Sequence, residues 1–569
     1  MTTSSSSKPW VAEYAPGVPH EVPPVAVSLY EFFAESVRQH QSSPALEFFG
    51  RRTTYGELQS DIDRAAEGLR RLGVRPGDRV AINLPNCPQH IAAFYAVLRL
   101  GAIVVEHNPL YTAAELERNF RDHGAKVAIA WRKVVPALQQ LPDGVRPATI
   151  IDVDLVAALP MKMRLLLKLP IAKARESREA LTEPVSDTIG WPELLAGGTI
   201  DPAVPGPAPE DVALLLYTSG TTGAPKGAML SHANLITNAQ QIVAWTPTVS
   251  TPGAVVYGVM PMFHAYGLSL GLTYAMSIGA KLVLFPRFDP DMVLDAVRRE
   301  PADLFAGAPP IYQKVIARAR ERGVSLQGIG LGVSGAMPLP LDIAAPWEEL
   351  TGGMLVEAYG LSETSPALIA NPISDRRRVG WIGVPISSTD VRIVDPEEPT
   401  RELPFGEAGE ILGRGPQVYL GYWGKPEETA ETFVPADDGG ADWFRTGDIG
   451  VMDEHGFVRV VDRIKELIIT GGFNVGPSEV ENVLRDHPAI QDLAVVGLPD
   501  ATSGEAVVAA VVLAEGATLD ESAIRTWARE RLTPYKVPKR VVAIDELPRN
   551  ILGKVLRRQA RLGLLESED

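Results

Sequence analysis

The chemistry of this chain starts at Tyr217-Thr-Ser-Gly-Thr-Thr-Gly-Ala-Pro-Lys-Gly227. Three glycines, three threonines, one serine and one lysine fall within ten residues of the tyrosine. Glycines let backbone N–H groups turn toward an anion. Hydroxyls add donors, and Lys226 adds a mobile positive charge. A polyphosphate is the simplest ligand for such a loop. The spacing is not that of a Walker A loop, because Pro225 follows Gly220 where that motif repeats its glycine. Gly227 also stands where a hydroxyl residue should follow the lysine. A flexible surface turn is the competing reading of the loop alone.

Further stretches carry reactive groups at suggestive spacings. Glu357-Ala-Tyr-Gly-Leu-Ser-Glu-Thr364 sets a carboxylate beside hydroxyls. Near a polyphosphate that is a natural magnesium site, since Mg²⁺ is usually held by one or two carboxylates plus phosphate oxygens. Trp443-Phe-Arg-Thr-Gly-Asp448 puts a carboxylate on a turn, where it can grip paired hydroxyls or simply cap the turn. Leu331-Gly-Val-Ser-Gly-Ala-Met-Pro338 ends an apolar run on small residues, which let a flat ring approach the backbone. Pro261-Met-Phe-His-Ala-Tyr-Gly267 sets one histidine among aromatics, a pattern more often found in a core. Ile469 to Glu481 holds the Gly471–Gly472 pair, then a helix expected to be capped by Ser478 with Glu481 three residues on. Leu547 to Arg557 holds Lys554, by itself one cation among 54.

Taken together these stretches resemble the signature motifs of the adenylate-forming superfamily, which comprises acyl-CoA synthetases, peptide-synthetase adenylation domains and luciferases. They occur in family order from Tyr217 to Lys554, and similarity extends upstream to about Ser28. The resemblance implies that Thr218, Ser219, Gly220, Thr221, Thr222, Gly223 and Lys226 cradle the phosphates of ATP. It implies that Glu363, with Thr218, holds Mg²⁺, and that Tyr359, Gly360 and Ser362 flank the nucleotide, Tyr359 stacking on adenine. Gly335 and Ala336 face the adenine, and Asp448 binds the ribose. The family more often has Thr where this chain has Ser362; the hydroxyl is kept. His264 is placed at the mouth of an acyl pocket lined by Tyr266 and Gly267. Arg463 contacts the nucleotide, Lys465 is the hinge, and Gly471 and Gly472 line the tunnel for the pantetheine arm of CoA. Lys554 becomes the catalytic lysine that neutralises charge developing on the α-phosphate. The nearest look is to bacterial long-chain fatty-acid–CoA ligases, from Asn108-Pro-Leu-Tyr-Thr112, the Asp462–Leu467 linker and Gly472-Phe-Asn474.

The elements that must position these groups are written in the periodicity. Val212–Leu216 reads as a buried strand that delivers the phosphate loop. Leu29–Arg38, Tyr55–Leu72, Pro88–Leu100, Ala113–His123 and His232–Trp245 carry helical spacing. Arg79–Leu84 and Ala102–Val105 read as strands, with Glu106–Thr112 as a strand-to-helix turn. Strand and helix alternation implies an α/β fold with parallel sheets. The expected organisation is a loose arm over residues 1–25 and a large domain over 26–462. A small mobile α+β domain over 463–569 completes it. The resemblance adds a β-barrel-like subdomain to the stacked α/β sheets of the large domain.

Length, charge and composition narrow the classes. At 569 residues the chain exceeds one core. A net charge of −16 argues against nucleic-acid binding. The single cysteine, Cys87, has no activating neighbour in sequence and reads as a packing residue. The N-terminus lacks the apolar core of a signal peptide, and no apolar run reaches the roughly 20 residues of a membrane span. A cytoplasmic protein is expected. Residues 157–175 invert the local charge: they are apolar and basic, with no acid. They read either as an amphipathic helix of about three turns, ended by Pro170 and lying peripherally on the inner membrane face, or as a packed helix with solvated lysines.

The resemblance implies two half-reactions. A fatty acid and Mg·ATP give acyl-AMP and pyrophosphate, and CoA then displaces AMP to give the thioester. Medium-chain or aryl acids are alternatives, as are a fatty acyl-AMP ligase that delivers to a carrier protein and a catalytically silent nucleotide-binding scaffold. A homodimer is a further expectation from related enzymes.

Overall fold

The computed structural model describes residues 8–219, 225–470, 473–500, 503–550 and 553–566, with backbone alone at Thr218, Ser219, Lys465, Phe473 and Asn474. By packing, the chain divides into two units. One comprises Val11–Asp390 with Arg414–Phe433; the other comprises Met1–Trp10, Val391–Gly413 and Val434–Asp569.

The larger unit is built on two mostly parallel sheets. Seven strands run in the order Ile189–Gly190, Thr149–Val153, Val127–Trp131, Arg79–Asn83, Ile103–Glu106, Val212–Ser219 and Pro225–Ser231. All neighbours are parallel except the last pair, which is an antiparallel hairpin. The second sheet has nine strands. At its centre Met354–Gly360, Leu331–Ser334, Leu304–Gly307, Val255–Gly258 and Lys281–Leu284 lie parallel. The inner strands are buried on both faces, as near-continuous runs of Val, Ile, Leu and Ala require. The expected helices are present with termini within two residues of their predicted ends. Ser28, Thr54 and Thr112 open them with reciprocal capping boxes to Glu31, Glu57 and Glu115.

One buried side chain ties the two sheets at their carboxyl ends. Asn86, three residues after the strand Arg79–Asn83, donates to the carbonyls of Gly258 and Met260, both at 2.9 Å. It also accepts the Met262 N–H at 2.8 Å. Loops at the carboxyl ends of parallel strands are where open α/β sheets take ligands. His264, Gly335 and the Tyr359–Glu363 stretch all follow such ends in the second sheet. Cys87 is buried at the start of the next helix, and burial pushes its thiol up to about 12. It is a packing residue.

Three expectations are corrected. Residues 11–22 are not a loose arm in the described part. The Tyr14 hydroxyl donates to the Pro385 carbonyl at 2.8 Å, and the Ser387 hydroxyl to that of Pro19 at 2.6 Å. Residues 157–175 form no three-turn helix. Pro160 starts a short one, Met161–Leu166, and another begins only at Ala172, beyond Pro170. The packed alternative fails too, since Met161, Leu165, Leu166, Leu169 and Ile171 are all exposed. The strand leading into the phosphate loop is longer than predicted. It runs to Ser219 and pairs with Pro225–Ser231, so Lys226 sits on a strand rather than in a loop.

The smaller unit holds two sheets. In the first, Ala408–Arg414 pairs antiparallel with Trp443–Met452, which pairs in turn with Val458–Arg463. The resemblance assigns a barrel-like subdomain to the large domain; this five-stranded sheet falls mainly in the smaller unit. In the second, Ile490–Asp500 and Gly504–Leu513 form a long antiparallel ribbon, with Arg540–Ala543 added in parallel. The helices Pro477–Arg485 and Glu521–Arg529 bury Val480, Leu484, Ile524 and Ala528 against it, giving an α+β section. Asp462 lies inside the smaller unit, near the end of Val458–Arg463.

Candidate active site

In the larger unit the phosphate hairpin is anchored at its root. The Tyr217 hydroxyl donates to Asp122 at 2.6 Å, and its ring stacks on buried His107 with centroids 6.0 Å apart. Across the hairpin Tyr217 faces Gly227, where a Cβ would meet the tyrosine ring at 3.1 Å. That contact leaves little room for a side chain after Lys226. Thr218 pairs with Lys226 across the ladder. Gly220, Thr221, Thr222 and Gly223 lie outside the described residues, as do the side chains of Thr218 and Ser219.

Lys226 and Glu363 meet on a residue the sequence reading passed over, Tyr422. Its hydroxyl donates to Glu363 Oε1 at 2.8 Å, and the Lys226 ammonium lies over its ring, 5.3 Å from the centroid. Burial and the Glu363 charge push the Tyr422 hydroxyl far up, so it stays a donor. The segment around it is stitched to both partners. Leu420 and Trp423 donate to the carbonyls of Met229 and Gly227, and Tyr419 donates to that of Glu363. Glu363 is buried in the short turn Ser362–Thr364, with Ser362 half-buried beside it. No group of three or more acidic, histidine or cysteine ligands occurs among the described residues. A lone buried carboxylate fits a Mg²⁺ that takes most of its oxygens from a triphosphate and water.

Gly335 and Ala336 follow the strand Leu331–Ser334. A Cβ at Gly335 would lie 3.2 Å from the Tyr266 ring, and Ala336 holds a left-handed φ of 68° while exposed. The Tyr266 hydroxyl donates to the Val333 carbonyl at 2.7 Å, so the predicted acyl segment and adenine segment are in contact. Tyr359 is half-buried and Gly360 exposed at the end of Met354–Gly360. A Cβ at Gly360 would collide with the Pro366 carbonyl at 1.7 Å, and one at Gly267 with that of Pro261 at 2.2 Å. Close backbone packing therefore fixes both glycines, whatever else they touch. His264 caps the turn Ala265–Leu268 by accepting the Tyr266 N–H on Nδ1 at 3.3 Å. Its surroundings push its pKa down to about 4. The ring is neutral at pH 7, with its proton assigned to Nε2.

Glu357, at the start of the Glu363 motif, is buried and accepts the N–H groups of Leu339 and Gly380 at 3.0 and 2.9 Å. Desolvation still outweighs those bonds and raises its carboxyl to about 7.

In the smaller unit a second cluster gathers Asp448, Arg463 and Lys554. Asp448 is buried on the strand Trp443–Met452 and pairs in register with Arg463, whose Nε lies 2.7 Å from Oδ1. Lys554 sits on a tight turn closed by Asn550, which accepts the Lys554 N–H and donates its own N–H to the Lys554 carbonyl, both at 2.9 Å. Burial lowers the Lys554 pKa and Arg463 adds to that, while Glu466 and Asp448 oppose it. The ammonium is thus within electrostatic reach of the predicted ribose carboxylate. Lys465 lies on the turn Ile464–Glu466, its side chain outside the described part. Gly471 and Gly472 also lie outside the described residues.

Arg557 supports this cluster from behind. It makes a bidentate pair with buried Glu481 at 2.9 and 2.8 Å, reaches the Ser478 hydroxyl at 3.0 Å, and pairs with Glu466. Ser478 is therefore not the helix cap. The helix Pro477–Arg485 starts at Gly476 with Pro477 in its first position, and Asp462 accepts the Ser478 N–H at 2.9 Å. A Cβ at Gly476 would lie 2.6 Å from that carboxylate. Serine one residue inside the helix faces Arg557 instead, and a carboxylate from an earlier strand caps the end. No local sequence pattern announces such a cap. Tyr422 was equally hard to find, being one of 14 tyrosines with no charged neighbour until Lys425.

Comparison with known proteins identifies the family. A family model described as AMP-binding enzyme matches residues 33–423, and one described as AMP-binding enzyme C-terminal domain matches residues 479–554. The long-chain-fatty-acid–CoA ligase of Bacillus subtilis (strain 168) is 39% identical, covering 99% of this chain and 98% of that protein. A feruloyl-CoA synthase of Amycolatopsis is 38% identical over 92% of this chain and 97% of its own. Among solved structures, ATP-bound MatB from Rhodopseudomonas palustris superposes with a TM-score of 0.78 at 31% identity, covering 95% of this chain and 100% of its own. With both domain models matched and relatives aligned almost end to end, the chain belongs to the AMP-binding enzyme family.

Proposed function

We propose that this protein activates a fatty acid with ATP, through an acyl-adenylate, to an acyl-CoA thioester, releasing AMP and pyrophosphate. The observation that carries the reading is the convergence of Lys226 and Glu363 on one tyrosine. An ammonium and a carboxylate held that way suit a triphosphate and its cation. In the first step an acid oxygen attacks the α-phosphorus and the bond to pyrophosphate breaks. In the second a CoA sulfur attacks the acyl carbon, AMP leaves, and the thiol proton is released.

The chain's own groups bind and orient in both steps. Lys226, with the glycines and hydroxyls of 218–223, takes the β- and γ-phosphates. Asp448 takes the ribose hydroxyls and exchanges its Arg463 partner for them. Tyr359, Gly335 and Ala336 hold the adenine. Neutral His264 donates from Nε2 to the acid's carboxylate without trapping it as an ion pair. Lys554 meets the charge growing on the α-phosphate. Glu363 and Thr218 would hold Mg²⁺, which when bound neutralises phosphate charge. Lys554 and the Gly471–Gly472 loop cannot easily serve one step together. Residues 463–569 are therefore assigned a rotation about Lys465 between steps.

A long-chain acid is favoured by the 39% relative, and an aryl acid by the feruloyl-CoA synthase at nearly equal identity. An acid panel from medium to long chain, with cinnamate-type acids, assayed for AMP release with and without CoA, separates them. AMP release with a long-chain acid that depends on CoA supports the proposal. Adenylate accumulation without thioester points to a carrier-protein acceptor, and no ATP use with any acid refutes it.

Residues 157–175 are assigned peripheral contact with an anionic membrane. Five exposed aliphatic side chains there alternate with Lys162, Arg164, Lys168, Lys173 and Arg175. Apolar groups can enter the headgroup region while the cations face lipid phosphates. No helix among the described residues is long and apolar enough to cross a membrane. Flotation with anionic vesicles should recover the full chain, and a variant with the five aliphatics changed to serine should stay behind. Equal recovery refutes the contact.

A further inference from the structure

Tyr422 is the point at which the two ends of the phosphate site are joined, and the functional reading above gives it no task. Its hydroxyl is spent on Glu363 and its ring face on Lys226. Its backbone is fixed independently. The Tyr422 N–H donates to the Thr429 hydroxyl at 2.9 Å, residue 422 bridges Ala228, two residues after the hairpin lysine, and Tyr419 packs edge-on at 5.1 Å. The ring is therefore placed by its own segment, not by the groups it touches. A core tyrosine would need one acceptor for its hydroxyl, and any carbonyl would serve. This one is aimed at the one acidic side chain assigned to the cation.

We infer that Tyr422 is a positioning residue that sets the spacing between the metal-binding carboxylate and the phosphate-binding ammonium. The inference rests on the roles given above to Glu363 and Lys226. The hydroxyl fixes the rotation of the Glu363 carboxylate, so that one oxygen is occupied and the other's direction is defined. The ring face holds the Lys226 ammonium by its quadrupole, which keeps the cation from collapsing onto Glu363 when no phosphate is bound. The two halves of the side chain then have separable effects. Loss of the hydroxyl should affect only what depends on Mg²⁺, and loss of the ring should also affect what depends on phosphate charge.

The test is calorimetric binding of a non-hydrolysable ATP analogue to the full chain, in Mg²⁺ and in EDTA, together with the Mg²⁺ dependence of pyrophosphate exchange. Tyr422→Phe should weaken analogue binding roughly threefold to tenfold in Mg²⁺, the effect of one hydrogen bond, and leave binding in EDTA unchanged. It should raise the Mg²⁺ needed for half-maximal exchange by the same factor, with the rate at saturating Mg²⁺ within about twofold. Tyr422→Leu should weaken binding in both buffers. Glu363→Gln is the control. If Glu363→Gln binds as the parent does in Mg²⁺, the metal role of Glu363 fails. If Glu363→Gln is impaired and Tyr422→Phe is indistinguishable from the parent in Mg²⁺, the inference about Tyr422 is overturned. Adding Tyr422→Phe to Glu363→Gln should cost nothing further, since both remove the same link; additive losses would also overturn it.

Discussion

Removing the Asp462 carboxylate should slow adenylation and spare thioester formation. Asp462 precedes the proposed hinge at Lys465, and the helix it caps, Pro477–Arg485, follows it. The cap therefore spans the hinge and cannot survive a rotation there. Lys554 is within electrostatic reach of Asp448 here, and on the ribose role proposed for Asp448 the cap is assigned to the adenylating state. The magnitude follows from what the carboxylate supplies. It accepts two backbone N–H groups, from Arg463 and Ser478, both at 2.9 Å. Burial nevertheless raises its pKa, so its charge is no net asset and the value lies in the two acceptors. Asp462→Ala should then cost about 1–2 kcal/mol, as for loss of an N-cap. That lowers the ratio of capped to uncapped arrangements by roughly 5–30-fold. Asp462→Asn keeps one acceptor and should lose roughly half as much. Gly476→Ala, whose Cβ would press on the carboxylate at 2.6 Å, should act in the same direction. The assay measures acid-dependent pyrophosphate exchange and, separately, thioester formation from supplied acyl-AMP and CoA. Exchange should fall and thioester formation hold or rise. Equal losses in both half-reactions would show that the contact only stabilises the fold, and no loss in either would show that it spans nothing that moves.

Lys554→Ala should abolish acid-dependent pyrophosphate exchange, with a loss of about 3–4 kcal/mol of transition-state stabilisation, and near-normal exchange refutes its role. Lys465→Pro should slow thioester formation far more than adenylation, because a fixed φ stiffens the hinge; matched losses refute the rotation. Glu357 gives a pH signature. Its folded carboxyl lies at about 7, above the ordinary 4.5, so its protonation favours the fold below pH 4.5 and that contribution is lost as pH rises through about 7. The difference corresponds to about 3–4 kcal/mol at about 1.4 kcal/mol per pH unit. Denaturant unfolding from pH 5 to 8 should show Glu357→Gln with a flatter stability profile than the parent, and parallel profiles would refute the assignment.

What the sequence determined by itself was the reaction class and the elements that carry it. Helix and strand positions follow from apolar spacing and from Ser or Thr caps paired with Glu three residues on, and both are local. The candidate reactive groups are legible because their motifs are contiguous: Lys226, Glu363, Asp448 and Lys554 each sit in a stretch of a few diagnostic residues. The tertiary structure decided how those groups are held. Tyr422 reaches Glu363 across 59 positions, Arg557 reaches Glu481 across 76, and Asp462 caps a helix that begins at a proline. Local propensity favoured Ser478 as the cap, but Pro477 set the helix start two residues early and left the end to a carboxylate from a neighbouring strand. A contact between distant segments has no sequence period. It exists only once sheet register has fixed which side chains share a face.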